Sequence, residues 1–185
     1  MKNNQNEAFN EIYKIRRLEN TDKIESFDCG DAALNDFILN QFSFFGLERL
    51  AVCYALENRK SHDVLAFFSL TNDKIATTDF DNKTLYNRFS RRFSNRKRLK
   101  SYPAVKIGRL GVSNMMQGQN VGTFIINFIK TYFINNNKSG CRFITVDAYY
   151  EAIPFYQKNG FIPLNEADAH DKTRLLYFDL NDVSD

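Results

Sequence analysis

The chain has no tryptophan, two histidines and three cysteines in 185 residues, and each scarcity closes off a class of explanation. Two histidines leave little for metal ligation. Cys29, Cys53 and Cys141 stand at wide, unequal spacings that fit neither a zinc site nor a disulfide framework, and they read as reduced structural thiols. No stretch approaches the ~20 apolar residues that a membrane span requires. The polar, Asn-rich start from Met1 to Glu11 has no apolar signal core, so the sequence predicts a soluble, cytoplasmic protein with a flexible N-terminus over residues 1–11. Internal repeats and domain linkers are missing as well. A chain of this length suits one domain over residues 1–185 that buries ~70% of its unfolded surface. Without tryptophan, the apolar area of that core falls to 18 Phe and 9 Tyr.

Acidic residues are missing from one place in particular. Between Arg88 and Lys100 there are seven basic residues and no acidic one, while the overall charge is only +3. Acidic residues gather towards the ends, from Glu19 to Asp36 and from Glu166 to Asp185. A basic segment set against acidic ends is an electrostatic footprint for a polyanion, or else a solvated helix and loop. Arg91, Arg92, Arg96 and Arg98 are the candidate contacts. Phe89 and Phe93 interleave with them, either as stacking partners or as the core face of a helix over Asn82 to Ser94.

The richest stretch runs from Ile107 to Phe124. A β-branched and apolar run stops at a polar turn, four polar or Gly positions follow (Gln117 to Asn120), and Val121-Gly122 opens a long apolar-periodic segment. This is the order strand, turn, loop, helix start. The first turn of a helix has N–H groups without helical acceptors and the positive end of the macrodipole, which suits an anion such as a pyrophosphate. The N–H groups of Gln119, Val121, Gly122 and Thr123 are expected to converge there, with Gly118 and Gly122 allowing close approach. Val121, Phe124, Ile125, Phe128, Ile129, Tyr132 and Phe133 recur at steps of three and four and predict one core-packing stripe. The segment Asn135 to Gly140 ends that helix, and Cys141 to Ala148 reads as a buried strand. Strand, crossover helix and strand make a βαβ unit with near-parallel strands. Glu151 to Asn159 predicts a short helix closed by Gly160, and Arg174 to Leu180 a last strand. Towards the N-terminus, Tyr13 to Leu18 predicts a strand and Asp31 to Gly46 a helix capped from around Asp28 and Asp31. Leu50 to Glu57 and Val64 to Leu70 predict an antiparallel hairpin. Physical reasoning alone yields an α/β chain, a mixed sheet with helices on its faces.

These residues resemble a known family. Gln117-Gly-Gln-Asn-Val-Gly122 is similar to the pyrophosphate loop Gln/Arg-x-x-Gly-x-Gly/Ala of the GNAT superfamily of N-acetyltransferases, with Asn120 in place of the first Gly. Asn tolerates the left-handed region better than other non-Gly residues, so the turn is expected to survive the exchange. Phe155-Tyr-Gln-Lys-Asn-Gly-Phe161 resembles the superfamily's Phe-Tyr-x-x-x-Gly-Phe segment, and Val146-Asp-Ala148 its preceding strand. Phe27-Asp-Cys-Gly30, Leu34-Asn-Asp-Phe37 and Arg109-Leu-Gly-Val112 resemble one bacterial branch that includes toxins acetylating aminoacyl-tRNA.

The resemblance implies a single-domain GNAT fold, with a central mixed sheet flanked by helices, and acetyl-CoA as donor without a metal. Acetyl transfer to an amine needs a polarised thioester carbonyl, a neutral amine and a proton for the leaving thiolate. By resemblance the backbone N–H of Val112, beside Leu110, polarises the carbonyl, and Tyr156, beside Phe155, protonates the thiolate. Leu110, Val112, Gln117, Gly118, Gln119, Asn120, Val121, Gly122, Thr123 and Phe155 would contact the cofactor. Asp147 reads as a helix cap or as a contributor to proton removal, and no general base stands out. The expected acceptor is a primary amine, with the aminoacyl group of charged tRNA as the sharper reading. A small polyamine, a protein lysine and a non-catalytic CoA-binding domain are the alternatives. Expected partners on the same grounds are tRNA, an antitoxin and a second copy in a homodimer, with no membrane.

Overall fold

The computed structural model describes residues 11–92, 99–135, 139–166, 168–169 and 171–182. Seven strands form one mixed sheet in the order β1-β2-β3-β4-β5-β7-β6. They are β1 (Tyr13–Arg17), β2 (Val52–Asn58), β3 (Val64–Ala76), β4 (Ser101–Val112), β5 (Phe143–Tyr149), β6 (Ile162–Pro163) and β7 (Thr173–Asp179). The flanking helices are α1 (Ala32–Asp36), α2 (Phe42–Leu47), α3 (Lys83–Ser90), α4 (Val121–Ile134) and α5 (Ile153–Lys158). The β4–α4–β5 crossover makes the parallel pair, with Ala104, Val105 and Lys106 set against Phe143, Ile144 and Thr145. The pairs β1/β2, β2/β3, β5/β7 and β6/β7 are antiparallel.

Backbone contacts divide the chain into two compact units, one of residues 1–71 and 107–126 and the other of residues 72–106 and 127–185. The first is built around Leu18, Phe27, Phe37, Ile38, Phe42, Cys53, Ala55 and Phe67, all buried. Asp31 caps α1 by accepting from Ala33 N–H (2.8 Å) and Leu34 N–H (2.9 Å). The predicted helix from Asp31 to Gly46 is not uniform: a π turn over Phe37–Gln41 separates α1 from α2. That wider turn shifts the apolar face so that Phe37, Ile38 and Phe42 are all buried. The second unit has an aromatic core of Phe80, Tyr86, Phe89, Tyr102, Phe143 and Tyr177. Phe89 lies at its centre, with ring centroids 5.3 Å from Phe80, 5.6 Å from Phe143 and 5.5 Å from Tyr177. Phe89 is therefore a core residue of α3, which is capped by the Asn82 side chain accepting from Leu85 N–H. The predicted helix over Asn82 to Ser94 corresponds to Lys83–Ser90, and Phe93 and Ser94 lie outside the described residues.

Other differences from expectation have local causes. β3 continues past Leu70 to Ala76 because Asn72 and Lys74 project outward while Ile75 and Ala76 are buried, a pattern hidden by a polar run. β4 begins at Ser101, directly after the basic segment in sequence, and runs through Pro103. The two-residue β6 is too short to leave a sequence signal. The stripe of α4 is core only in part: Val121, Ile125, Ile126 and Ile129 are buried, whereas Phe124, Phe128 and Phe133 are half-buried and Tyr132 is exposed. Cys29, Cys53 and Cys141 are free thiols. Among the described residues no helix is long and apolar enough to cross a membrane.

Gly111 on β4 tests the packing of the first unit. A Cβ there would lie 2.6 Å from the Phe67 ring, which has no exposed surface and is held by the Phe27 and Phe37 rings at 5.3 Å and 5.9 Å. Gly111→Ala should therefore destabilise the protein by about 1–3 kcal/mol through overpacking. A urea unfolding midpoint equal to that of the parent protein would show that Phe67 can move aside.

Candidate functional site

In the first unit, β4 ends at Val112 and the chain turns at once. Ser113 N–H donates to Leu65 C=O (2.9 Å), and Met116 and Gln117 N–H both return to Ser113 C=O (2.8 and 3.1 Å). This closes a 3-10 turn over Asn114–Met116. Gly118 (φ +77°) and Asn120 (φ +61°) both occupy the left-handed region and bend the chain into α4. Asn120 thus adopts the backbone conformation expected of a Gly at this point. A Cβ on Gly118 would meet nothing within 4 Å, so the space beside Gly118 is open.

The helical ladder begins when Phe124 N–H donates to Asn120 C=O (2.9 Å). The N–H groups of Val121, Gly122 and Thr123 therefore precede the first helical hydrogen bond, at the positive end of a 14-residue helix. Val121 is buried and anchors that turn. Gln119 departs from expectation: its N–H donates to Met116 C=O (3.4 Å) and its side-chain amide to Met115 C=O (2.9 Å), so it does not join the three free amides. Gln117 also turns inward. Its Nε2 donates to Cys29 C=O (2.9 Å), Val112 C=O (3.1 Å) and Asn114 Oδ1 (3.1 Å). Leu110 and Val112 are half-buried at the end of β4.

The segment that meets Gln117 has no loop signature of its own in the sequence. Asp28 does not cap α1. Its carboxylate accepts from Gly30 N–H (2.9 Å), Asn35 Nδ2 (2.8 Å) and Asn114 Nδ2 (2.9 Å), and its C=O accepts from Asn114 N–H (2.9 Å). Hydrogen bonds from the Gly30 N–H first, and from Asn35 and Asn114, hold the Asp28 carboxyl below its ordinary pKa. The fragments Phe27 to Gly30 and Leu34 to Phe37 are thereby tied to the loop after β4. In the sequence Asp28 read as a capping candidate and Leu34 to Phe37 as part of a helix, and the likeness to a bacterial branch marked both fragments; Asn114 carried no signal.

In the second unit, Phe155 and Tyr156 sit on α5, where Pro154 occupies the first turn. Phe155 is half-buried, and Tyr156 is 6% exposed, its ring packed on Phe155 (5.1 Å) and Phe161 (5.4 Å). Burial pushes the Tyr156 phenol well above its ordinary pKa. Tyr156 C=O accepts from Asn159 and Phe161 N–H, both at 3.0 Å, which closes the helix through Gly160 at φ +81°. Lys130 on α4 reinforces this end: its Nζ donates to Asn159 C=O (2.7 Å) and lies 3.7 Å from the Phe178 ring centroid. Asp147 caps no helix. It accepts from Lys106 Nζ (2.8 Å), while Asp73 lies 3.7 Å from the same Nζ and accepts from Thr145 Oγ1 (2.5 Å).

The basic segment is partly committed within the second unit. Arg91 is exposed at the end of α3. Arg92 donates to the Tyr177 hydroxyl and lies 4.0 Å from Asp182, one of the acidic residues expected to stand apart from it. Arg96 and Arg98 lie outside the described residues.

A family model described as an acetyltransferase (GNAT) domain matches residues 93–178. No curated protein matches the chain by sequence. Among solved structures, a tyrosine-to-phenylalanine variant of KacT is 22% identical with a TM-score of 0.73, covering 92% of this chain and 96% of that one. AtaTR bound with acetyl-CoA is likewise 22% identical with a TM-score of 0.70, covering 92% and 95%. AtaT complexed with acetyl-methionyl-tRNAfMet, again 22% identical, has a TM-score of 0.69 over 92% and 96%. The acetyltransferase (GNAT) match thus falls on the part of the chain that holds β4, the strand–loop–helix that opens α4, and the strands that follow, and the whole sheet is similar in fold to AtaT and KacT.

Proposed function

We propose that this chain is a GNAT acetyltransferase that takes its acetyl group from acetyl-CoA, receives the pyrophosphate on the loop Gln117 to Thr123, and delivers the group to the aminoacyl amine of a charged tRNA. One observation carries the donor half: the N–H groups of Val121, Gly122 and Thr123 precede the helical ladder of α4, beside open space at Gly118. AtaT, solved with acetyl-methionyl-tRNAfMet, supports the acceptor half. Within the loop, Gly118, Asn120 and the three free amides face the anion, while Gln117 and Gln119 shape the turn from behind.

The amine nitrogen forms a bond to the thioester carbon, the carbon–sulfur bond breaks, and the thiolate takes a proton. The Val112 N–H is assigned to the developing negative charge on the carbonyl oxygen. Tyr156 is assigned to the thiolate: with its pKa raised by burial, the phenol retains its proton throughout the neutral range and has it to give. The protonated nitrogen of the new amide loses its extra proton to water, and the Tyr156 phenolate regains a proton from solvent. The exposed Arg91 and the arginines that follow it are assigned to tRNA phosphates, with Arg92 contributing less because Tyr177 and Asp182 hold it.

Three outcomes test this reading. Gly122→Glu places a carboxylate where the pyrophosphate would sit, and calorimetry should find acetyl-CoA binding abolished with the unfolding midpoint retained; unchanged affinity would remove the loop from the donor site. Tyr156→Phe should keep acetyl-CoA affinity within about threefold and lower turnover by roughly 10²–10⁴. Full activity in that variant would return Tyr156 to a packing role on α5.

The acceptor is tested by gel shift with charged and uncharged tRNA at two salt concentrations. Binding should be weak and fall steeply with salt, because each neutralised phosphate releases counterions. Replacing Arg91, Arg92, Arg96 and Arg98 together by Glu should abolish the shift and spare acetyl-CoA binding. A small-amine acceptor predicts no shift even at low salt, and activity that survives the charge reversal.

A further inference from the structure

Asp28 and Asn114 are 86 residues apart in sequence and bonded twice, once through the Asp28 carboxylate and once through its carbonyl. Their side chains form a directional relay. Gln117 Nε2 donates to Asn114 Oδ1 (3.1 Å), and Asn114 Nδ2 donates to Asp28 Oδ2 (2.9 Å). Asp28 Oδ1 is already occupied by Gly30 N–H and Asn35 Nδ2. Cys29 N–H in turn donates to Asn35 Oδ1 (2.9 Å), which fixes the other end of the knot.

An ionised carboxylate only accepts hydrogen bonds, whereas an amide has one accepting and one donating end. The carboxylate therefore sets which way Asn114 points. Asn114, with its oxygen towards Gln117, sets which way that amide points in turn. The Gln117 orientation is the one that lets its Nε2 reach the carbonyls of Cys29 and Val112, the second of which ends β4. Reversing any amide in the chain sets donor against donor, or oxygen against oxygen. Polarity at position 28 is thus transmitted to the first residue of the loop.

We propose that Asp28, acting through Asn114 and Gln117, is a positioning residue that holds the loop between Val112 and α4 in its anion-binding conformation. This rests on the reading of that loop as the acetyl-CoA site. Asp28 touches no substrate in this scheme and acts through the polarity of its hydrogen bonds. The whole knot lies within the first unit, and Asp28, Asn35 and Asn114 in it have no part in the proposed chemistry.

The test is a polarity swap in the full chain, with acetyl-CoA affinity, steady-state kinetics and hydrogen exchange measured on each variant. Asp28→Asn keeps shape but faces the Asn114 NH₂ with a second NH₂. Acetyl-CoA Kd and KM should rise about tenfold, the loss of one well-placed hydrogen bond, with kcat at saturating donor within about threefold. The double variant D28N/N114D restores the relay in reversed sense, because the new amide at position 28 donates to the new carboxylate, whose other oxygen still accepts from Gln117. Its Kd should return to within about threefold of the parent value, a rescue that a mere loss of packing would not produce.

Hydrogen exchange over Asn114 to Gln119 in the ligand-free protein should speed up in D28N and return towards the parent rate in the double variant. Parent-like acetyl-CoA affinity in D28N, or a double variant no better than D28N, would overturn the proposal. So would identical exchange in all three proteins. If the parent chain itself fails to bind acetyl-CoA, the reading of the loop as a donor site falls, and the exchange rates alone decide whether Asp28 sets the loop.

Discussion

Three peptide N–H groups at the head of α4 have no acceptor inside their own helix, and the surrounding chain is arranged to keep them that way. A helix start ordinarily satisfies such groups with a capping side chain or water. Here the residues before the helix turn elsewhere: Gln117 bonds back to Val112 and Cys29, and Gln119 to Met115 and Met116. Left-handed backbone at Gly118 and Asn120 brings the chain round into α4. Asn120 shows how a departure from a family pattern can be absorbed. The backbone conformation is retained, and the residue exchanged is the one non-Gly type that tolerates it best.

The second unit solves a different problem. Its core is a cluster of aromatic rings centred on Phe89, which supplies without tryptophan the large apolar surfaces that bury well. The polar residues around it are paired within the unit: Lys130 with Asn159 C=O and the Phe178 face, Lys106 with Asp147 and Asp73, Arg92 with Tyr177 and Asp182. Burial lowers the pKa of the half-buried Lys130, the direction expected when a cation leaves water. For Lys106 desolvation acts the same way, but hydrogen bonds and charge from Asp147 and Asp73 outweigh it and the pKa is raised. Carboxylates beside the cation decide the sign.

Much of the fold was legible because its signals are local. The βαβ crossover, the hairpin, the Asp31 cap and the stop at Gly160 each rest on residues within a few positions of one another. The π turn inside the first helix left no such mark: its apolar spacing is ordinary, and only the need to bury Phe37, Ile38 and Phe42 together shows why the helix widens. The start of β4 was hidden by the basic segment and Pro103, since a strand in the middle of a sheet can have a polar and irregular sequence where its neighbours supply the pairing. The sequence marked the loop as a candidate anion site, yet which of its amides stay free was not legible, because Gln119 N–H turns back onto Met116 C=O, and Met116 is itself held by the 3-10 turn on Ser113.

The sequence by itself determined the order of the longer strands and helices, the place of the loop and the chemical character of each candidate residue, because periodicity, capping and backbone permissiveness act over three or four positions. Only the tertiary structure decided what each polar side chain holds. Asp28 meets Asn114 as well as Asn35 of the helix beside it, Asp147 meets Lys106 rather than a cap, and Arg92 meets Tyr177 across 85 positions of chain. A hydrogen bond requires its partners within about 3 Å and in line. Distance along the chain does not enter that condition, so the pattern of residues could name these groups without pairing them.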